Sequence, residues 1–420
     1  MRPPCHCNIL PTAPLCLSTE RFFLETAHLH RFNTHCMWNL PALPWHTKRP
    51  ASLSLARCSL LATGWCFVLI APVLGRGGEL VTLANVADPG PITADEPFAD
   101  VFSPEKAARY LDIASLHWQK SRNCAACHVN MGYLYARPAL RSVLADSGEV
   151  RALYEEYATK RWKERPPRDV QETVVVASGL VFNDLQTTGR LHPITRQTLQ
   201  VMWDFQRDDG GWTWRNDGYP PTEYDEHYGV TLAALTTGIA PDCYAKTEEA
   251  RRGLGKIRLF LENNPPLSLH HRGMIAWVSC YIGGIMDDRG REKTLGELMA
   301  LQRPDGGWST PGLLADWEGL KRKDGKPHDP NTSDAYGTGF TIIVARELGM
   351  SSSDPRLQHG VDWLLRNQRV SGKWFSRSPA TDSRHYFSNF GSAFAILALQ
   401  SCNKLPGWPL SKRSGHLSFP

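Results

Sequence analysis

No stretch of this sequence carries the dense run of basic residues that tracks a nucleic-acid backbone, and the formal net charge is only +5 over 420 residues. Nucleic acid is therefore not an expected partner. A stable transmembrane helix needs about 20 consecutive apolar residues, and the apolar run from Cys58 to Leu74 falls short of that. A full disulfide framework is not expected in the body of the chain. Beyond the first hundred residues only Cys124, Cys127, Cys243, Cys280 and Cys402 remain, an odd number with one close pair. At 42% hydrophobic and 21% charged residues, the composition is globular and excludes the disordered and collagenous classes.

The first hundred residues differ from the rest. Six of the 11 cysteines fall there, among prolines and without apolar periodicity. Lys48, Arg49 and Arg57 precede the Cys58–Leu74 run, which opens into Gly-rich sequence. A basic flank, a short apolar core and a small-residue exit form the pattern of an export signal, with an uncleaved N-terminal anchor as the alternative. Residues 37–84 carry that segment, and 1–36 read as an over-extended or disordered start. Residues 85–103, acidic and interrupted by Pro89, Pro91 and Pro97, read as a linker. The body, 104–402, is expected in an extracytoplasmic compartment, periplasmic or secreted, and 403–420 as a disordered tail.

One pattern occurs three times in that body. Gln206, Gln302 and Gln368 are each followed four residues on by glycine and six on by tryptophan. Each is also preceded by a large apolar residue one helical turn earlier: Met202, Leu298 and Leu364. The glycine supplies the turn that ends a helix, and the tryptophan is placed to pack back on the Gln side chain and the helix end. Three such segments at one spacing describe a repeat.

Between the repeats, small and apolar segments alternate with charged, amphipathic ones. The apolar set is 128–140, 172–185, 222–238, 270–286, 332–349 and 383–400; the charged set is 104–120, 150–163, 194–206, 246–262, 292–302 and 355–368. Small apolar helices suit a close-packed inner ring and amphipathic ones an outer ring. Six pairs predict an all-α fold, an (α/α)6 toroid. Apolar periodicity alone also suits an open helical solenoid.

The Q-x3-G-x-W repeats resemble those of squalene–hopene cyclases and other triterpene cyclases, and the segment Ser333–Thr341 is similar to an inner helix of their C-terminal toroid. The resemblance covers roughly residues 170–402. It implies an α-toroid, often membrane-associated, that folds a long isoprenoid in a central cavity. Two departures stand out: the body has room for one toroid where those enzymes have two, and the DxDD acid motif of the family does not occur. Fold is thus implied more securely than reaction.

Protonating an alkene requires a carboxylic acid set among donors in a dry pocket, with aromatic faces near the cation. The nearest local cluster is Glu223, Asp225, Glu226 and His227, interleaved with Tyr224 and Tyr228. The same residues at a helix start equally suit capping and charge–dipole roles. Asp334 carries the same two readings. Tyr281, Tyr336, Phe340, Tyr386, Phe387, Phe390 and Phe394 suit either a cavity lining or a core. The zinc signature of the related prenyltransferase subunits is not visible around Cys243 or Cys280.

Cys124-Ala-Ala-Cys127-His128 is the CxxCH attachment signature of c-type haem, with His128 as axial iron ligand. A CxxC disulfide or a metal site is the competing reading. Met202, Met274 and His227 are candidates for the second axial position. Two expectations follow: an isoprenoid-processing or isoprenoid-binding toroid, and a non-cyclising haem c toroid for ligand binding, electron transfer or sensing.

Overall fold

Apolar and amphipathic segments fold as pairs, each amphipathic helix laying its one apolar stripe on the apolar helices beside it. The computed structural model describes residues 79–405, apart from 126–127, 168, 220, 315–321 and 379–385. The expected disordered start, the signal-like run and most of the tail lie outside the described residues. The first pair is α1 (Pro104–Arg122) and α2 (Asn130–Ala136), the latter continued by a 3-10 turn, Arg137–Leu140. The second is α3 (Glu149–Glu156) and α5 (Gln171–Thr187), separated by a π-helical turn and the single turn α4 (Trp162–Glu164). Next come α6 (Pro193–Asp204) with α7 (Glu226–Ile239), and α8 (Glu248–Asn263) with α9 (Leu269–Ser279). The fifth pair is α10 (Asp288–Ala300) and α12 (Ala335–Glu347), with the short α11 (Thr310–Leu313) between them; the sixth is α13 (Pro355–Arg366) and α14 (Tyr386–Ser401).

Neighbour relations close these pairs into a ring. Inner helix α2 packs on α5, α5 on α7, α7 on α9, α9 on α12, α12 on α14, and α14 back on α2. Each outer helix lies against its inner partner or the inner helices flanking it. The described residues are thus all-α, with two isolated β-bridges and no strand among them, and the ring excludes the open solenoid.

Burial follows the two roles. α12 buries every residue from Ala335 to Ala345, and α7 every residue from His227 to Thr237. By contrast α13 buries Leu357, Gly360, Val361 and Leu364, the i, i+3, i+4, i+7 stripe of an amphipathic helix, together with Trp363. Buried threonines inside inner helices satisfy their hydroxyls on the preceding turn, as Thr237 does on the Ala233 carbonyl. Gly339 faces the Phe394 backbone so closely that a Cβ would not fit, which lets α12 and α14 approach.

The three repeats share one geometry. Trp212, Trp308 and Trp374 are 0% exposed. Each indole N–H donates to the carbonyl of the apolar residue ten positions earlier: Met202 at 2.9 Å, Leu298 at 2.7 Å and Leu364 at 2.7 Å. Each Gln Nε2 donates to the carbonyl of its own repeat glycine, Gly210, Gly306 or Gly372. It also donates to the next outer helix, at Gly253, Arg356 or Ser103. The tryptophan therefore fastens to the helix end by a hydrogen bond, not by stacking on the Gln, and the Gln joins adjacent outer helices. Gln368 reaches Ser103 at the start of α1, and its Oε1 accepts the Ser103 N–H at 2.7 Å, so the third repeat fastens the seam of the ring.

Several helix bounds depart from the sequence reading for local reasons. The segment 222–238 starts as a helix only at Glu226, because Asp225 caps it and Tyr219 pairs with Glu223. α9 stops at Ser279, short of Met286, ahead of Gly283 and Gly284, the latter at φ +73°. α10 begins four residues before 292, where the Asp287 carboxylate accepts the Gly290 N–H at 2.7 Å. The segment 85–103 is tied across the seam, with Glu96 paired to the buried Lys373 and Ala99 donating to the Gln368 carbonyl. No helix among the described residues is long and apolar enough to cross a membrane.

Candidate functional site

Parallel inner helices bring their first turns to one mouth of the ring. Tyr228 of α7, His270 of α9 and Tyr336 of α12 are in successive ring contact, and Tyr336 continues to Phe387 and Phe390 of α14. Helix N-termini carry partial positive charge and unsatisfied N–H groups, and the carboxylates at this mouth answer both. Asp225 caps α7 by accepting the Tyr228 N–H at 3.0 Å. Asp334 caps α12 through Gly337 and also accepts from the Thr310 N–H and hydroxyl.

Each of the four clustered candidates has a definite environment. Glu226 pairs with Arg207, the residue after the first repeat glutamine, at 2.6 Å. Glu223 Oε1 lies 3.7 Å from His128 Nδ1, so the fold brings the CxxCH histidine and the acid cluster together across some ninety-five residues of sequence. Asp225 Oδ2 lies 3.1 Å from His271 Nε2. Burial alone would raise the Asp225 carboxyl, but the His271 imidazole and the Tyr228 N–H outweigh it and hold it below the ordinary carboxylate value. An ionised, capped carboxylate is a poor donor to an alkene. Asp334 is pushed the other way, upward by burial, yet its bonds to Gly337 and Thr310 engage both carboxyl oxygens within the fold.

His227 is different. It is 7% exposed, its ring stacks on His271 with centroids 4.4 Å apart, and neither ring nitrogen has a hydrogen-bond partner among the described residues. Burial, reinforced by the adjacent His271, lowers its pKa from 6.5 to about 4, against the opposing pull of Asp225. It is therefore neutral at physiological pH, offering one N–H donor and one lone pair. His271 receives the Leu267 N–H on Nδ1 at 3.3 Å, and its Nε2 faces Asp225. His270 bonds Tyr336 Oη at 2.8 Å, and burial holds it well below the ordinary histidine value.

Sequence reasoning did not single out His270 and His271. Two adjacent imidazoles opening an otherwise apolar helix were the available signal. The aromatic candidates Tyr336, Phe340, Phe387, Phe390 and Phe394 are in mutual ring contact and buried, a packed core through the middle of the ring. Tyr281 lies apart, on Glu347.

Cys124 sits half-buried in the turn from α1 to α2, and Cys127 lies outside the described residues. The axial candidate His128 is 7% exposed, its ring set edge-on against Trp118 at 6.0 Å, and its Nε2 is covered. Iron ligation needs that nitrogen open to a porphyrin face, so the described residues do not fit haem c without movement of this turn. Met202 and Met274, weighed as the second ligand, are buried in the helix packing. No group of three or more metal-ligating side chains gathers among the described residues.

No protein family matches the chain, and no curated protein matches its sequence. Among solved structures, a protein from Actinoplanes is 14% identical, covering 72% of this chain and 100% of that one at a TM-score of 0.41. An ent-copalyl diphosphate synthase from Streptomyces platensis is 17% identical over 65% of this chain at a TM-score of 0.40; the match spans only 50% of that enzyme. A type II terpene cyclase from Scytonema is 12% identical over 72% of this chain and 99% of its own, at a TM-score of 0.40. The ring itself rests on its own helix contacts.

Proposed function

We propose that this protein is an exported, terpenoid-cyclase-type toroid that binds a hydroxyl-ended, isoprenoid-like molecule at the mouth formed by α7 and α9, with His227 as its polar anchor. The carrying observation is the buried imidazole with both nitrogens unpartnered, because an unsatisfied buried polar group costs about 1–3 kcal/mol and a ligand hydroxyl relieves it. A hydroxyl is both donor and acceptor, which matches a neutral imidazole. Tyr228, the next residue of α7, and Trp214, in edge contact with it at 6.1 Å and packed on Gly229, provide apolar surface on the same turn. The resemblance of the repeats to triterpene cyclases supports the isoprenoid class.

Binding, not alkene protonation, is the reading these groups favour. Glu223, Asp225 and Glu226 face His128, His271 and Arg207 respectively, and an imidazole titrating at about 4 is too weak a base to ionise an alcohol. The test is fluorescence titration of the full chain with farnesol, beside His227→Phe. Wild type should saturate, and the variant should bind about tenfold more weakly, the worth of one hydrogen bond. Equal affinity in the variant, or no saturation in wild type, overturns the reading. An absorbance scan of protein matured in a haem-attaching host tests the alternative: c-type bands that survive denaturation would establish haem on Cys124 and Cys127 instead.

A further inference from the structure

At the opposite mouth, where inner helices end and outer helices begin, a cleft of about 560 Å³ lies between α2, α3, α5 and α6. Its floor is apolar, from Tyr133, Leu134 and Leu191, and four arginines surround it: Arg137, Arg141, Arg151 and Arg190. Asp146 and Asp184 are the only carboxylates of the lining.

Two of these arginines hold the wall. Arg151 spans Asp184 and Glu155 at 2.8 Å each. Arg137, 1% exposed, makes a two-pronged pair with Asp112 at 2.8 and 3.0 Å and also donates to the Ala145 carbonyl. Those bonds use Nε and Nη2. Its Nη1 is buried with no hydrogen-bond partner among the described residues, a cationic donor left unsatisfied in a low-dielectric setting. Arg141 and Arg190 are exposed at the rim. The N-terminus of α3 also borders the cleft: its N-cap is Gly148, a lining residue, and the Glu149 N–H of its first turn donates to Ser147 Oγ at 3.4 Å.

Arginines at inner-helix C-termini also complement the helix dipole, and that role accounts for Arg141 on the Gln186 carbonyl. It does not account for an unpartnered Arg137 Nη1 and an open rim arginine, Arg190, converging on one cavity with an apolar floor. We propose that this cleft binds a small organic anion, a phosphate or carboxylate head carried on an apolar body, with the head against Arg137 Nη1 and the rim pair Arg141 and Arg190. The site is independent of His227, which lies at the other mouth.

Octyl phosphate, octanoate and octanol separate the contributions in calorimetric titrations of the full chain. Both anions should saturate, and octanol, lacking the charge, should bind at least about tenfold more weakly. The tighter of the two anions identifies the head. The double variant Arg141→Gln/Arg190→Gln should weaken both anions about tenfold and leave octanol unchanged, and salt at about 0.5 M should act in the same direction. Those rim side chains are solvent-exposed, so the variant keeps the Arg137–Asp112 pair and the fold, which circular dichroism verifies. Failure of either anion to saturate, octanol binding as tightly as the anions, or undiminished affinity in the rim variant overturns the proposal.

Discussion

His227 and the three repeat tryptophans carry opposite kinds of burial. The tryptophans are apolar bodies whose single polar atom is satisfied, so truncation removes both packing and a hydrogen bond. Trp308→Ala and Trp374→Ala should each destabilise by about 3–5 kcal/mol in denaturant melts; a loss below about 1 kcal/mol would mean that the indole is not the anchor described. His227 is polar, buried and unsatisfied, and its effect emerges through pH. Its folded pKa of about 4 lies below the ordinary 6.5, so the unfolded chain takes up the proton first on acidification. The neutral fold is fully favoured above pH 6.5 and loses up to about 3 kcal/mol as pH falls towards 4. His227→Phe should flatten that part of the stability–pH curve in urea melts. An unchanged slope would reassign it to other groups, His270 first among them, since burial lowers that imidazole too.

At the scale of elements, the repeat is a device for joining one outer helix to the next. Its glycine is part of that joint. Gly210, Gly306 and Gly372 have φ of +92°, +95° and +95°, and a Cβ on any of them would strike the backbone of the following outer helix, at Lys256, His359 or Lys106. Positive φ and close approach act together, so glycine is required twice over. Gly372→Ala should therefore cost more than about 1 kcal/mol. Gly255, within α8 and facing open space, is the contrasting case: Gly255→Ala should stabilise by about 0.5–1 kcal/mol. Thermal melts of the two variants shifting in the same direction would contradict this account. The repeat spacing made the joint's position legible in the sequence. Its partners were not, because Gly253, Arg356 and Ser103 lie on other helices and bear no mark of the contact.

Across the whole molecule, the decisive feature is that α14 packs on both α12 and α2. A linear stack loses one interface when its last pair is removed; a ring loses two and exposes apolar inner surface at both ends. Ending the chain at Asp354, which deletes α13 and α14, should thus abolish cooperative unfolding, with a broadened urea transition and a reduced m-value. Retention of a sharp transition would indicate that the remaining pairs behave as an open array.

Periodicity, small-residue content and the Q-x3-G-x-W spacing determined that the described residues are all-α, that their helices alternate between two environments, and that they form six pairs. Those properties are local, written within one or two helical turns. Tertiary structure decided the chemistry. It set Glu223 beside His128, drew His271 onto Asp225 and His227, and filled the middle of the ring with Phe340, Phe390 and Phe394. It also gathered Arg137, Arg141, Arg151 and Arg190 around one cleft. None of these juxtapositions has a sequence signature, because ring closure brings together residues from different helices and each helix encodes only its own face. The carboxylates that looked acidic in the sequence became caps and ion-pair partners for the same reason: whether a buried group is charged depends on the neighbours that the fold supplies.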